Sequence, residues 1–201
     1  MQKKILKIDD IKIIQPVLAI DFEDAFKLFE KTIMKYDIDA EYLKRSSVGE
    51  IFVAKDQDKV VGMIKMRHPG KIFEELDERH FSLKKIKCKK SEIGYVTLIA
   101  VEPENQRNGI GKELLKKGIE EQKEFGSKCV VVHAWQGSPG NASQKLFESF
   151  GFEPLKMHKS PWKEYSEKKG PKGYWCPVCG NPCVCDELEM VKYLETEELK
   201  N

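Results

Sequence analysis

The chain has 201 residues, 40% of them hydrophobic, enough to bury the core of one soluble domain, and residues 1–201 read as that single domain. A net charge of +2 gives no electrostatic basis for a nucleic-acid partner, and no apolar run reaches membrane-spanning length, so neither partner is expected. Residues 1–7 lack the apolar segment of a signal peptide, which points to the cytoplasm.

In chain order, residues 11–21 carry a short strand and a turn, and residues 21–34 place Phe22, Ala25, Phe26, Phe29 and Ile33 on one helical face suited to the core. Residues 36–47 follow, a charged turn between helices that carries Asp37, Asp39 and Glu41. Glu50-Ile-Phe-Val-Ala54 and Val60-Val-Gly-Met-Ile-Lys-Met66 read as a hairpin. Pro69-Gly70 then breaks the pattern. Residues 71–79 suit a helical turn, residues 81–88 alternate like a strand, and His68 and His80 fall at expected surface positions. Next comes an apolar strand, Tyr95-Val-Thr-Leu-Ile-Ala-Val101. Its successor is a turn, Glu102-Pro-Glu-Asn-Gln-Arg-Asn-Gly-Ile-Gly111, and then a helix with Ile110, Leu114, Leu115 and Ile119 at helical spacing.

That turn is built to bind through its backbone. Pro103 ends the strand, Asn108 is a good helix cap, and Gly109 and Gly111 remove side chains where a ligand must come close. The unpaired amides at a helix start, with the positive end of the helix dipole, suit a phosphate or pyrophosphate. Neither Gly-x-x-x-x-Gly-Lys-[Ser/Thr] nor Gly-x-Gly-x-x-Gly occurs in the chain, which removes the P-loop and the dinucleotide fingerprint.

Gln106-Arg107-Asn108-Gly109-Ile110-Gly111 resembles the acyl-CoA signature [Gln/Arg]-x-x-Gly-x-[Gly/Ala] of the GNAT N-acetyltransferase superfamily, and a second block, Gly140-Asn-Ala-Ser-Gln-Lys-Leu-Phe-Glu-Ser-Phe-Gly-Phe152, follows at the family's distance. The resemblance implies an α/β (α+β) GNAT fold: a central mixed twisted sheet of about seven strands flanked by helices and splayed between its fourth and fifth strands. Residues 67–93 then lengthen the connection between the third and fourth strands and shape acceptor entry. The implied activity is transfer of an acetyl group from acetyl-CoA to a primary amine by direct attack on the thioester. The amine belongs to a small molecule or a peptide, and a homodimer is compatible with the fold. Pantetheine would lie along Ile99, Ala100 and Val101, the phosphates on Gln106, Arg107, Asn108, Gly109, Ile110 and Gly111, with Lys112 adding charge and Asn141 reaching pantetheine. For Asn141 a helix-cap role stands beside this.

The amine must lose a proton and the thiolate gains from an acid. Many family members carry a tyrosine acid where this chain has Phe147, which donates nothing. A carboxylate base used by others maps onto Tyr95, better suited to a wall, an acid or a water holder. His133, at the end of the strand Cys129-Val-Val-Val-His-Ala-Trp135, is the preferred base, ahead of Glu92 and Glu102. Phe147 also motivates an alternative reading, an acyl-CoA-binding regulator without turnover.

Four of the six cysteines fall in Cys176-Pro-Val-Cys-Gly-Asn-Pro-Cys-Val-Cys185. Cys-Pro-x-Cys-Gly is a metal knuckle, and Cys176, Cys179, Cys183 and Cys185 make a Cys₄ site for zinc first and iron second. Residues 152–158 and 188–194 resemble the last two family strands, so residues 159–186 form an insertion in that hairpin, expected to present Trp162, Tyr165, Tyr174 and Trp175 as a pocket wall or partner surface. A knuckle-led adaptor for protein or nucleic acid is the remaining alternative.

Overall fold

A computed structural model of the chain describes residues 8–16, 18–36 and 40–194. Asp37, Asp39 and residues 1–7 lie outside them. Nine strands are named in chain order: β1 (Ile11–Ile14), β2 (Lys35–Tyr36), β3 (Ile51–Asp56), β4 (Lys59–Arg67), β5 (Ile93–Val101), β6 (Cys129–Trp135), β7 (Glu153–His158), β8 (Tyr174–Trp175) and β9 (Glu187–Tyr193). The helices are α1 (Ala19–Thr32), α2 (Glu41–Lys44), α3 (Ile110–Glu124), α4 (Ala142–Ser149) and α5 (Lys163–Gly173). Seven strands form one mixed sheet in the order β1-β3-β4-β5-β6-β9-β7, and β2 pairs with β8 in a separate two-stranded ribbon. The chain divides into two compact units, each assembled from three segments.

The first unit comprises residues 1–65, 98–118 and 162–184. Its core gathers Phe26, Leu28 and Phe29 of α1 with Leu43, Val53, Val60, Met63 and Ala100. β3 and β4 close through a two-residue turn, Gln57-Asp58, with Gln57 at a φ of 55°, so the hairpin is tighter than the five-residue link expected from sequence. α3 lies against β4 because residue 62 is glycine: a Cβ there would stand 3.0 Å from Ile110 Cγ2 and 3.1 Å from Leu114 Cδ1. Ile110, Leu114 and Leu115 are buried on that face, each contributing about 1.5–3 kcal/mol of apolar burial.

The second unit comprises residues 66–97, 119–161 and 185–201. β5 and β6 run parallel, but their pairing covers only Ile93↔Cys129 to Val96↔Val132 although both strands continue. They stand where the resemblance puts its fourth and fifth strands, and they part as it implies. β6 instead pairs fully with β9, from Cys129↔Tyr193 to Trp135↔Glu187, and β9 pairs antiparallel with β7. Residues 81–88, expected as a strand, contain a short 3₁₀ turn at Leu83–Lys85 instead, following another at Glu78–His80. The apparent alternation served the core. Phe81 and Ile86, with Leu83 alongside, pack on Ile72, Ile93, Tyr95, Val131 and Val191 without any ladder.

Candidate active site and metal knuckle

In the first unit β5 ends at Val101, and Glu102 N donates to Val61 O at 2.9 Å. A 3₁₀ turn, Pro103–Asn105, leads to Gln106, whose Nε2 returns to Val101 O at 3.0 Å and ties the turn to the strand it left. Arg107 sits at a φ of 64°, an uncommon conformation for a non-glycine residue, and Gly109 follows at 84°. Lys112 N and Glu113 N both donate to Gly109 O, at 2.9 and 3.1 Å. The first carbonyl of the helix is therefore that of Gly109, and the cap falls one residue after Asn108, which sequence had favoured. The amides of Gly109, Ile110 and Gly111 precede the first intrahelical bond and remain as donors at the positive end of a 15-residue helix. Gln106, Arg107 and Lys112 are exposed around them. Ile99 and Val101 are half-buried, Ala100 enters the core, and all three lie beyond the last β5 residue paired with β6. Their free edge and the turn amides form a cradle of backbone groups suited to an extended ligand ending in phosphates.

Glu102 and Glu92, the weaker base choices, have structural partners. Glu102 Oε2 accepts from Lys31 Nζ at 2.5 Å, and Glu92 Oε2 accepts from Lys89 N at 2.9 Å.

In the second unit Tyr95 and His133 meet. Tyr95 Oη is 2.9 Å from His133 Nδ1, and His133 Nε2 is 2.8 Å from His80 O. A carbonyl only accepts, so Nε2 carries the imidazole hydrogen; Nδ1 is bare and accepts from the tyrosine hydroxyl. The His133 pKa is pushed down to about 4, chiefly by burial and further by the neighbouring His158, against the opposing pull of Glu189. The ring is thus neutral near pH 7 with both nitrogens engaged. Through Nδ1 it holds the Tyr95 hydroxyl, and through Nε2 the His80 carbonyl. Phe81 packs edge-on against both rings.

His158 and Glu189 complete this neighbourhood, and sequence reading passed over both. His158 Nε2 is 3.1 Å from Glu189 Oε2, and Ser82 donates to the same carboxylate from N at 2.7 Å and Oγ at 2.6 Å. The available signal was a lone acid inside the apolar run Leu188-Glu-Met-Val. His80, expected at the surface, is half-buried and contributes its carbonyl, while His68 stacks on Phe125 at 3.7 Å.

Asn141 stands at the N-cap of α4 with a φ of 55°, yet its side chain makes no capping bond and lies 3.4 Å from Gln136 Oε1. Ser138 Oγ accepts from Ser143 N instead. Phe147, at the position of the family's tyrosine, is buried edge-on against Phe152.

The cysteine loop closes on itself. Cys176 and Gly180 exchange two backbone hydrogen bonds, with Gly180 at a φ of 75° to turn the chain, and Val184 N points at Cys179 Sγ at 3.3 Å. The four sulfurs of Cys176, Cys179, Cys183 and Cys185 lie within 4.8 Å of one another, and none is in a disulfide. Cys179 and Cys183 are 3.8 Å apart, too far for a disulfide and equal to the roughly 3.8 Å edge of a tetrahedron with metal–sulfur bonds of about 2.3 Å. Ser166 of α5, fully buried, accepts from Cys183 N at 2.8 Å while donating to Lys163 O, and Asn181 Nδ2 donates to Ser166 O and Tyr174 O. Of the aromatics in the insertion, Tyr174 is in the core, whereas Tyr165 and Trp175 are exposed.

The family model described as the acetyltransferase (GNAT) family matches residues 15–152. The chain belongs to the GNAT acetyltransferase family. Among solved GNAT structures, the ribosomal-protein-S18-alanine N-acetyltransferase of Escherichia coli is 15% identical with a TM-score of 0.59, covering 95% of this chain and 99% of that one. A GNAT family acetyltransferase from Elizabethkingia anophelis with acetyl-CoA bound is 21% identical, TM-score 0.58, with 92% and 99% covered. Arabidopsis thaliana NAA60 in complex with acetyl-CoA is 14% identical, TM-score 0.64, with 92% and 98% covered. No curated protein sequence matches the chain. At these identities the neighbours establish the GNAT fold, and among the described residues no helix is long and apolar enough to cross a membrane.

Proposed function

We propose that this chain is an acetyl-CoA-dependent N-acetyltransferase in which a primary amine attacks the thioester directly. The observation that carries the reading is the cradle: free helix-start amides at residues 109–111, a turn pinned by Gln106 Nε2 to Val101 O, and an unpaired β5 edge at residues 99–101. Acetyl-CoA brings an activated acyl group. The protein's share is to hold it, orient the amine and manage one proton. Ile99, Ala100 and Val101 hold pantetheine by their backbone, the 106–111 turn and Lys112 take the phosphates, and Asn141 adds a pantetheine contact.

Tyr95 shares a face of β5 with Thr97 and Ile99, because successive side chains alternate. Its hydroxyl hydrogen is directed at His133 Nδ1, and its oxygen is the acceptor that faces the amine in this reading; as the C–N bond forms and the C–S bond breaks, the amine's proton leaves with the CoA thiolate as free thiol. Tyr95 is the catalytic residue of this reading, and His133 the residue that positions it. Among amine acceptors, peptide N-termini and small amines are both compatible with the family.

The knuckle fits zinc, with Cys176, Cys179, Cys183 and Cys185 as a closed four-thiolate set that staples residues 159–186 and leaves no position for substrate. Such thiolates suit the reducing cytoplasm. Protein purified without added metal should carry about one thiolate-bound ion per chain. For the activity, incubation with acetyl-CoA and a panel of polyamines, amino acids and peptides should release CoA thiol above background. Tight CoA binding with no release across the panel would replace the enzyme by an acyl-CoA-binding regulator, the reading favoured by the buried Phe147.

A further inference from the structure

Three strands of the second unit carry polar residues to one point beside the buried apolar cluster of Phe81, Ile86 and Tyr95. The β6–β9 register sets His133 directly opposite Glu189, and β7 brings His158 alongside. The His133 and His158 rings are 5.2 Å apart between centroids, and one ligand atom from each of His133, His158 and Glu189 lies within 4.8 Å of the other two. Glu189 has no measurable exposure. A carboxylate taken out of water costs several kcal/mol unless a cation balances it. Among the described residues no lysine or arginine reaches it; its partners are the two Ser82 donors and His158. Two Ser82 hydrogen bonds and the His158 imidazole hold the carboxylate in one orientation.

The donors are also oriented as metal ligands are. His133 gives its Nε2 hydrogen to His80 O, which fixes the tautomer and leaves Nδ1 with a lone pair to donate, and Ser82 fixes the Glu189 carboxylate from two sides. We propose that His133, His158 and Glu189 form a second metal centre, which binds a divalent first-row transition ion through two imidazole nitrogens and one carboxylate oxygen. This donor set suits zinc, iron(II) or cobalt(II) rather than magnesium or calcium. Three protein ligands leave an open coordination position, unlike the closed knuckle. Tyr95 Oη, 2.9 Å from His133 Nδ1, stands beside it, and an ion at Nδ1 takes the place of the tyrosine hydrogen as the partner of that nitrogen. The site shares His133 and its contact with Tyr95 with the proposed acetyl transfer, so its test reads metal binding and not activity.

The experiment is a cobalt(II) titration of the full-length, metal-stripped chain, followed by visible absorption. Two equivalents are expected: one with the intense sulfur-to-cobalt charge-transfer band of the knuckle, and one with weaker ligand-field bands alone. Glu189→Gln and His158→Ala should keep the first and weaken the second by about 100-fold or more, since loss of outer-shell support alone costs 10- to 100-fold. Because either variant can disturb a buried site, the wild-type chain supplies its own control: the sulfur-free equivalent should broaden the imidazole resonances of His133 and His158 and leave His68 sharp. A titration that stops after the sulfur-bound equivalent overturns the proposal. So does a second equivalent that survives both variants, or that broadens His68 as much as the other two.

Discussion

Gly109→Ala tests the cradle through backbone conformation alone. Gly109 has a φ of 84°, but a Cβ there would meet only Ile8 side-chain atoms, at 3.8 and 3.9 Å, so there is room for a methyl group. What remains is the left-handed strain of an L-residue, about 1–2 kcal/mol. At roughly 2–4 °C per kcal/mol for a chain of this size, the melting temperature should fall by about 2–8 °C. The strained residue also carries the first helix carbonyl, so relief by unwinding displaces the amides of Ile110 and Gly111. Losing one charge-assisted bond to phosphate costs about 1.5–3 kcal/mol, or roughly 10- to 100-fold in CoA affinity. Gly126→Ala is the matched control. Gly126 follows the other end of the same helix at a φ of 82°, with nothing within 4 Å of the added Cβ, so it carries the same strain without the cradle. Calorimetric titration with CoA, together with thermal melts, separates the two effects. If both variants melt lower by similar amounts and both bind CoA like the wild type, the phosphates are not held at residues 109–111.

Three further substitutions probe the remaining parts. Tyr95→Phe removes the hydroxyl that His133 accepts but keeps the ring against Phe81; under the proposed role kcat should fall by about 10²- to 10⁴-fold with little change in the KM for acetyl-CoA, as read from steady-state kinetics. Ser166→Ala strips Cys183 N of its acceptor in a fully buried position, so the knuckle should lose about 1–3 kcal/mol and bind zinc 10- to 100-fold more weakly in a competition assay with a chromogenic chelator. Phe147→Tyr places a hydroxyl in the core beside Phe152; denaturant melts should show a loss of about 1–3 kcal/mol with no gain in CoA release, and a variant that gains turnover would favour the regulator reading.

The strand, turn and helix of residues 95–124 were legible because their signals are local. Pro103, Gly109 and Gly111 mark the end of a strand, a positive φ and a helix start within nine residues, and Ile110, Leu114 and Leu115 announce the buried face of α3 by spacing alone. The knuckle was legible for the same reason, since four cysteines in ten residues admit few arrangements. Residues 81–88 misled because side chains packing inward from a pair of 3₁₀ turns can imitate alternation over a short window. That His158 and Glu189 are partners of His133 was not visible. They join His133 only through the antiparallel registers of β6, β9 and β7, with sequence separations of 25 and 56 residues, and no local pattern encodes a register between distant strands.

That asymmetry bears on how the second unit is read. An apolar trio at residues 133, 158 and 189 would suit a sheet face covered by Phe81 and Ile86, and replacing buried charges with well-packed hydrophobes is often neutral or stabilising. Glu189 instead requires two Ser82 hydrogen bonds and an imidazole to be tolerated, and His133 requires the His80 carbonyl and Tyr95. The 3₁₀ turns of residues 78–85 supply Ser82, the His80 carbonyl and the Phe81 ring within three residues. Residues 67–93 therefore do more than lengthen a connection. They roof a polar cluster that the hydrophobic core does not need, the kind of local departure expected at functional or strained places.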